Sequence, residues 1–66
     1  MQITVNGQSR EAADGLSLAD LVREISDRDT GIAVAVNSEV VPRGSWPGTA
    51  VQPGDRVDVV TAVQGG

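Results

Sequence analysis

The chain contains no cysteine and no histidine, the side chains that most often serve as nucleophile, general base or transition-metal ligand. Without cysteine no disulfide can crosslink the chain, and a thiolate-ligated metal or iron–sulfur site is excluded. A length of 66 residues leaves room for one small domain. We therefore expect a protein that is not an enzyme, binds no cofactor of its own and holds no metal.

Long apolar runs and lysine are also missing. The N-terminal segment MQITVNGQSR has no basic start followed by an apolar stretch, so it does not resemble a signal peptide, and no run approaches transmembrane length. Five arginines against nine acidic residues give a net charge of −4, which disfavours nucleic acid as a partner. The acidity suits docking onto a basic protein surface, or serves solubility alone. We expect a cytoplasmic protein that binds neither membrane nor nucleic acid.

The first thirteen residues predict a β-hairpin. Ile3 and Val5 alternate with polar neighbours, the period-two pattern of a half-buried strand. Asn6 and Gly7 tolerate the positive φ angles of a two-residue hairpin turn. A second strand is then expected over residues 8–13, ended by the Asp-Gly pair that follows.

The segment SLADLVREIS predicts the one helix. Its apolar residues recur at i, i+3, i+4 and i+7, which forms a single stripe along a helix. Ser17 stands at the N-cap position, and the helix is expected to end within residues 26–29. The stripe consists of Leu18, Leu21, Val22 and Ile25.

The remainder of the chain predicts three more strands. IAVAVN is rich in β-branched residues and too short for a helix, and EVVP is a short strand stopped by Pro42. RGSWPGTA is expected to be irregular and anchored by Trp46. After a turn at QPGD, RVDVVTAV resumes alternation, with Val57, Val59 and Val63 on one side.

Two strands, a helix and three further strands in this order predict an α+β fold of the β-grasp, or ubiquitin-like, type. In that fold one helix packs across one face of a mixed sheet of four to five strands. We expect the first and last strands to run parallel at the centre of the sheet. Residues 1–63 would form the single domain, and residues 64–66 a flexible C-terminal tail.

Three segments carry a family resemblance: MQITVNG, AVAVNSEVVPRGSW and VQPGDRVDVVTAVQGG. Together they resemble the sulfur carrier family of thiamine biosynthesis, the ThiS type, over nearly the whole chain. The resemblance implies that a ubiquitin-activating-like adenylyltransferase uses ATP and Mg to adenylate the last glycine. A persulfide sulfur donor, a cysteine desulfurase or similar, then supplies sulfur for a thiocarboxylate, which thiazole synthase consumes.

By this resemblance Gly66 is the sulfur-carrying residue, adenylated and then thiocarboxylated. Gly65 and Gln64 are expected to be required for entry of the tail into the partner's site, although Gln64 is not diagnostic of the family. Because the two glycines have no Cβ, they can pass through a narrow channel. An ionised carboxylate is a poor electrophile and nothing in the chain can activate it, so the chain is a substrate of its partners.

Four further residues are candidates for docking a partner. Asp58, Val60 and Ala62 face away from Val57 and Val59, on the sheet side that the helix leaves uncovered. They could equally be ordinary solvated surface residues. The fourth candidate is Trp46, because tryptophan is frequent at binding hot spots, and its alternative role is to fill the core.

Two other functions remain open at this stage. One is another carrier of the same shape, the small subunit of molybdopterin synthase, which the short length and VNSEVVPR disfavour. The other is a ubiquitin-like binding module whose tail does no chemistry. Such an appendage would continue into another domain, so a chain that starts at Met1 and ends on a free Gly66 favours the carrier.

Overall fold

A computed structural model describes residues 1–26 and 31–61. Five strands form one sheet in the order β2-β1-β5-β3-β4. The first and last strands pair in parallel at its centre, and the other neighbours are antiparallel. The predicted β-grasp fold is confirmed. The elements are β1 (Gln2–Val5), β2 (Gln8–Glu11), α1 (Leu18–Ile25), β3 (Ile32–Val36), β4 (Glu39–Val41), a 3-10 helix (Arg43–Gly48) and β5 (Arg56–Thr61).

The helix α1 begins where its capping residue predicts. The Ser17 hydroxyl accepts a hydrogen bond from the backbone N–H of Asp20 at 3.1 Å, which satisfies one of the free donors of the first turn. Ser26 takes an extended conformation and ends the helix at Ile25, one residue before the predicted range. The predicted stripe faces the sheet, and Leu21 is fully buried.

The core lies between α1 and one face of the sheet. Alternate strand residues point towards the helix, as the two-residue period of a strand requires. The largest fully buried side chains come from both layers and are Ile3, Leu18, Leu21, Val34 and Val57. Burial of these side chains is what stabilises so small a domain.

One predicted irregular segment is wrong, because residues 43–48 form a 3-10 helix. The backbone N–H of Thr49 donates to the carbonyl of Trp46 and closes its last turn at 3.1 Å. The indole Nε1 of Trp46 donates to the carbonyl of Val41 at 2.9 Å. Trp46 thereby ties this short helix to the end of β4.

The second strand is shorter than predicted and ends at Glu11. Ala12 turns into the core, and Gly15 adopts a φ of 80° that directs the chain into α1. Of the helices in the ranges described above, none is long and apolar enough to cross a bilayer. The predicted boundary at residue 63 lies outside the described residues, so the domain and tail limits stay a prediction.

Candidate functional site

The sheet face opposite α1 carries an apolar patch. The strand register places Val60 beside Ala33, and Val40 beside Ala35, which in turn lies beside Asp58. Val60 is 57% exposed and Val40 is 69% exposed, and they are the large apolar side chains most open to solvent in the described part. We call Ala33, Ala35, Val40 and Val60 the open-face patch.

A charged pair borders the open-face patch. Arg56 and Asp58 lie on the same face, and the Arg56 Nε is 3.6 Å from the Asp58 Oδ2. Both side chains are open to water, so the pair adds little to stability. An apolar centre beside a polar edge is the usual composition of a protein-binding surface.

The structure brings some predicted site residues together and separates others. Asp58 and Val60 both lie on the uncovered face, as predicted, while their docking role stays a prediction. Ala62 lies outside the described residues, as do Gln64, Gly65 and Gly66.

Trp46 is not part of this surface. It is 4% exposed and belongs to the core cluster. Its single polar atom is already bonded within the chain, to the carbonyl of Val41. A buried and satisfied indole offers no contact area to a partner, so Trp46 is removed from the candidate docking residues and assigned to the core.

Sequence reasoning missed Val40. Within EVVP the two valines have the same chemistry, and no local pattern tells which one faces solvent. The distinction comes from pairing, since Val41 lies beside the buried Val34 and Val40 lies beside Ala35. The alternation of β3, read together with its pairing to β4, would have been the signal.

The start of β5 is fixed by the turn between β3 and β4. Asn37 and Ser38 have φ angles of 53° and 74°, and both side chains turn towards β5. The Asn37 amide donates to the Asp55 carboxylate and accepts from the Arg56 backbone N–H, both at 3.0 Å. The Arg56 guanidinium also donates to the Ser38 hydroxyl at 2.6 Å. We call these four residues the β5 clamp.

The end of β5 is held differently. β1 pairs with β5 only as far as Val57, and β5 continues to Thr61 against β3 alone. Beyond that register the Asn6 side-chain carbonyl accepts a hydrogen bond from the Val59 backbone N–H at 2.8 Å. Asn6 does this from the first turn position of the hairpin, where its φ is 51°.

A depression of about 250 Å³ lies between the hairpin and the end of α1. Arg10 and Ile25 line it, and the Arg10 guanidinium lies 3.2 Å from the Glu24 carboxylate. Across residues 1–26 and 31–61, no three His, Cys, Asp or Glu side chains lie close enough to hold a metal ion.

Comparison with known proteins agrees with this architecture. The model of the ThiS family matches residues 3–66. The sulfur carrier protein ThiS of Escherichia coli strain K12 is 35% identical over 66 residues, which cover 100% of both chains. A thiazole synthase of Paramagnetospirillum magneticum is 30% identical over the same 66 residues, which are 20% of that protein. The crystal structure of the thiamine biosynthesis protein ThiS from Geobacter metallireducens has a TM-score of 0.89 at 29% identity and covers 100% of both chains.

Proposed function

Because the chain belongs to the ThiS family and is a sulfur carrier of thiamine biosynthesis rather than an enzyme, we propose that the carboxylate of Gly66 carries the sulfur. The observation that carries the proposal is the family match, which extends to residue 66. The position of β5 supports it, since this central strand precedes the tail in sequence and is paired on both sides at its start. A firmly held strand is a suitable base from which to present a reactive end.

The chemistry requires partners at each step. The carboxylate of Gly66 is ionised at neutral pH and resists attack by a nucleophile. A ubiquitin-activating-like adenylyltransferase with ATP and Mg converts it to an acyl adenylate, with release of pyrophosphate. The terminal sulfur of a persulfide, on a cysteine desulfurase or similar donor, attacks the acyl carbon and displaces AMP to give an acyl disulfide. A second thiol, from the donor or a thiol reductant, then attacks the donor's sulfur, forms a disulfide with it and releases the thiocarboxylate. Gly65 and Gln64 have to enter each partner's site together with Gly66.

Thiazole synthase is the proposed acceptor of the sulfur. Two relatives that bear this name, from Paramagnetospirillum magneticum and Magnetococcus marinus, each contain a region similar to all 66 residues of this chain. Occurrence of a carrier-like region in the same polypeptide as thiazole synthase supports a working contact between the two. The names of the relatives favour the thiamine pathway over that of molybdopterin. We place this contact in the cytoplasm, where ATP is available to the activating enzyme.

The docking surface is proposed to be the open-face patch with Asp58 at its border. Val60 and Val40 supply apolar area that water covers in the isolated chain. The polar border would fix the orientation of the partner. Ala62 continues the alternation of β5 in sequence and stays a candidate member of this surface.

The test is intact-mass measurement after incubation with the activating enzyme, ATP, Mg and a persulfide donor. We expect the mass gain that corresponds to replacement of one oxygen by sulfur. Two control chains, one without Gly66 and one extended by a few residues, should show no gain. A chain without Gly66 that still gained this mass would disprove the proposal.

A further inference from the structure

The two edges of β5 are unequal beyond Val57. On the β3 side the pairing continues to the end of the strand, where Thr61 lies beside Ile32. On the β1 side the last ladder bond runs from the Asn6 backbone N–H to the Val57 carbonyl at 2.9 Å. The Asn6 side chain adds one more bond, to the Val59 N–H. The last residues of β5 therefore form a sheet edge although the strand itself is central.

Alternation decides which backbone groups lie on this edge. The hydrogen-bonded backbone groups of Asp55, Val57 and Val59 point to the β1 side. The Arg56 carbonyl instead accepts a hydrogen bond from the backbone N–H of Asn37 on the β3 side. Because the backbone groups of every second residue point to the same side of a strand, the Val59 carbonyl and the Thr61 N–H also point to the β1 side. Neither is paired by a backbone group of residues 1–26 or 31–61. A sheet edge that presents an unpaired donor and acceptor can form hydrogen bonds with a further strand.

We propose that thiazole synthase adds an extended segment to this edge, with hydrogen bonds to the Val59 carbonyl and the Thr61 N–H. This inference rests on the proposed function, because it names the enzyme that would take sulfur from Gly66. Addition of a strand gives affinity through the main chain, and adjacent side chains give specificity. Val60 stands between the two groups and is 57% exposed, so one segment would meet both the edge and the open-face patch.

The length of the tail favours an enzyme that holds Gly66 over a second copy of this chain, and the regions similar to this chain within two thiazole synthases favour thiazole synthase among such enzymes. A fully extended chain spans at most about 3.6 Å per residue, so Gly66 cannot lie more than about 18 Å from Thr61. An enzyme that holds the Gly66 carboxylate must therefore bring its own surface close to the end of β5. A second copy of this chain does not have to hold Gly66, so the length of the tail gives no reason for it to lie at this edge.

The experiment compares Thr61→Pro with Thr61→Ala. Proline at residue 61 removes the outward N–H and no bond to β3, and proline is tolerated on strand edges. Thr61→Ala also removes the threonine side chain but keeps the backbone N–H, so it is the matched control. We expect Thr61→Pro to bind thiazole synthase about tenfold more weakly than Thr61→Ala, with similar thermal unfolding. Equal affinities in two folded variants would overturn the proposal.

Hydrogen exchange in the unmodified chain tests the same contact without a substitution. The Thr61 amide should exchange at least about tenfold more slowly in the complex with thiazole synthase, while the Ser9 amide on the outer strand β2 should not change. An unchanged Thr61 amide would overturn the proposal even if Thr61→Pro failed to fold. Protection of Thr61 by self-association, seen in sedimentation of the isolated chain, would overturn it too. A chain that did not bind thiazole synthase at all would also disprove that part of the proposed function.

Discussion

The two faces of the sheet are built from the same strands and differ in what they contribute. Val34 and Val57 on the covered face are almost completely buried, whereas Val40 and Val60 on the open face are more than half exposed. Burial of apolar area stabilises the fold, so most of the free energy of unfolding comes from the covered face. We propose that the open face serves recognition, so a substitution there should change binding without unfolding the domain.

The largest expected effect breaks the covered face. Leu21→Ala removes a fully buried side chain at a cost of about 2–5 kcal/mol. A core of this size rarely supplies more than about 3–5 kcal/mol, so the variant should be largely unfolded. Urea denaturation followed by circular dichroism measures this. The open-face variant Val60→Ala is the control and should change the free energy of unfolding by less than about 0.5 kcal/mol. Equal losses in both variants would contradict the division between the faces.

The second effect breaks the open face without unfolding the protein. Val60→Asp places a charge in the open-face patch, and we expect affinity for thiazole synthase to fall at least about tenfold. Ser9→Asp adds the same charge on the polar β2 side of that face and should leave affinity unchanged. Titration calorimetry measures both. A normal affinity for Val60→Asp would show that recognition lies elsewhere.

A smaller effect sharpens the comparison at the edge of β5. Asn6→Gly keeps the positive φ of the turn and removes the acceptor for the Val59 N–H, at a cost of about 1 kcal/mol. The Val59 amide should then exchange faster. The backbone N–H of Asn37, which donates to the Arg56 carbonyl at 2.7 Å, is the internal control. If exchange at Val59 did not change, the Asn6 side chain would not be holding this strand.

The smallest effect concerns the far corner of the sheet. The Met1 ammonium lies 3.1 Å from the Glu11 carboxylate, and this hydrogen bond, with the charges of Glu11 and Asp14, raises its pKa above 8.0. A raised pKa in the folded state stabilises the fold below the ordinary pKa, and that stabilisation is lost as the pH rises through the higher value. When the pH rises from about 7 to about 10, the Tm of Glu11→Gln should therefore fall less than the Tm of the unmodified chain. Identical losses would contradict the assignment.

Local patterns in the sequence were enough to predict most of the fold. The alternation of Ile3 and Val5, the turn at Asn6 and Gly7 and the stripe of α1 each act over a few residues. Both turn residues have the positive φ that the prediction required, 51° and 83°. The 3-10 helix was missed because its six residues include Pro47 and are too few to show a stripe.

The site was less predictable because it depends on contacts between distant residues. The bond between Asn6 and Val59 joins residues 53 positions apart. Val40 reaches the open-face patch only through the pairing of β4 with β3. The proposed role of Gly66 came from the family resemblance rather than from any pattern of residues. The sequence alone therefore predicted the strands, the α-helix and the β5 part of the open face, but not the 3-10 helix, Val40 or the contact of Asn6 with β5.

The central place of β5 has a consequence for the chain during its synthesis. Among the strands in the described part of the chain, β5 is made last, and both β1 and β3 depend on it for their position in the sheet. A chain that is terminated before residue 56 lacks the middle of its sheet and cannot close a core. Such a chain would be unable to fold. It would therefore not compete with the complete protein for a partner.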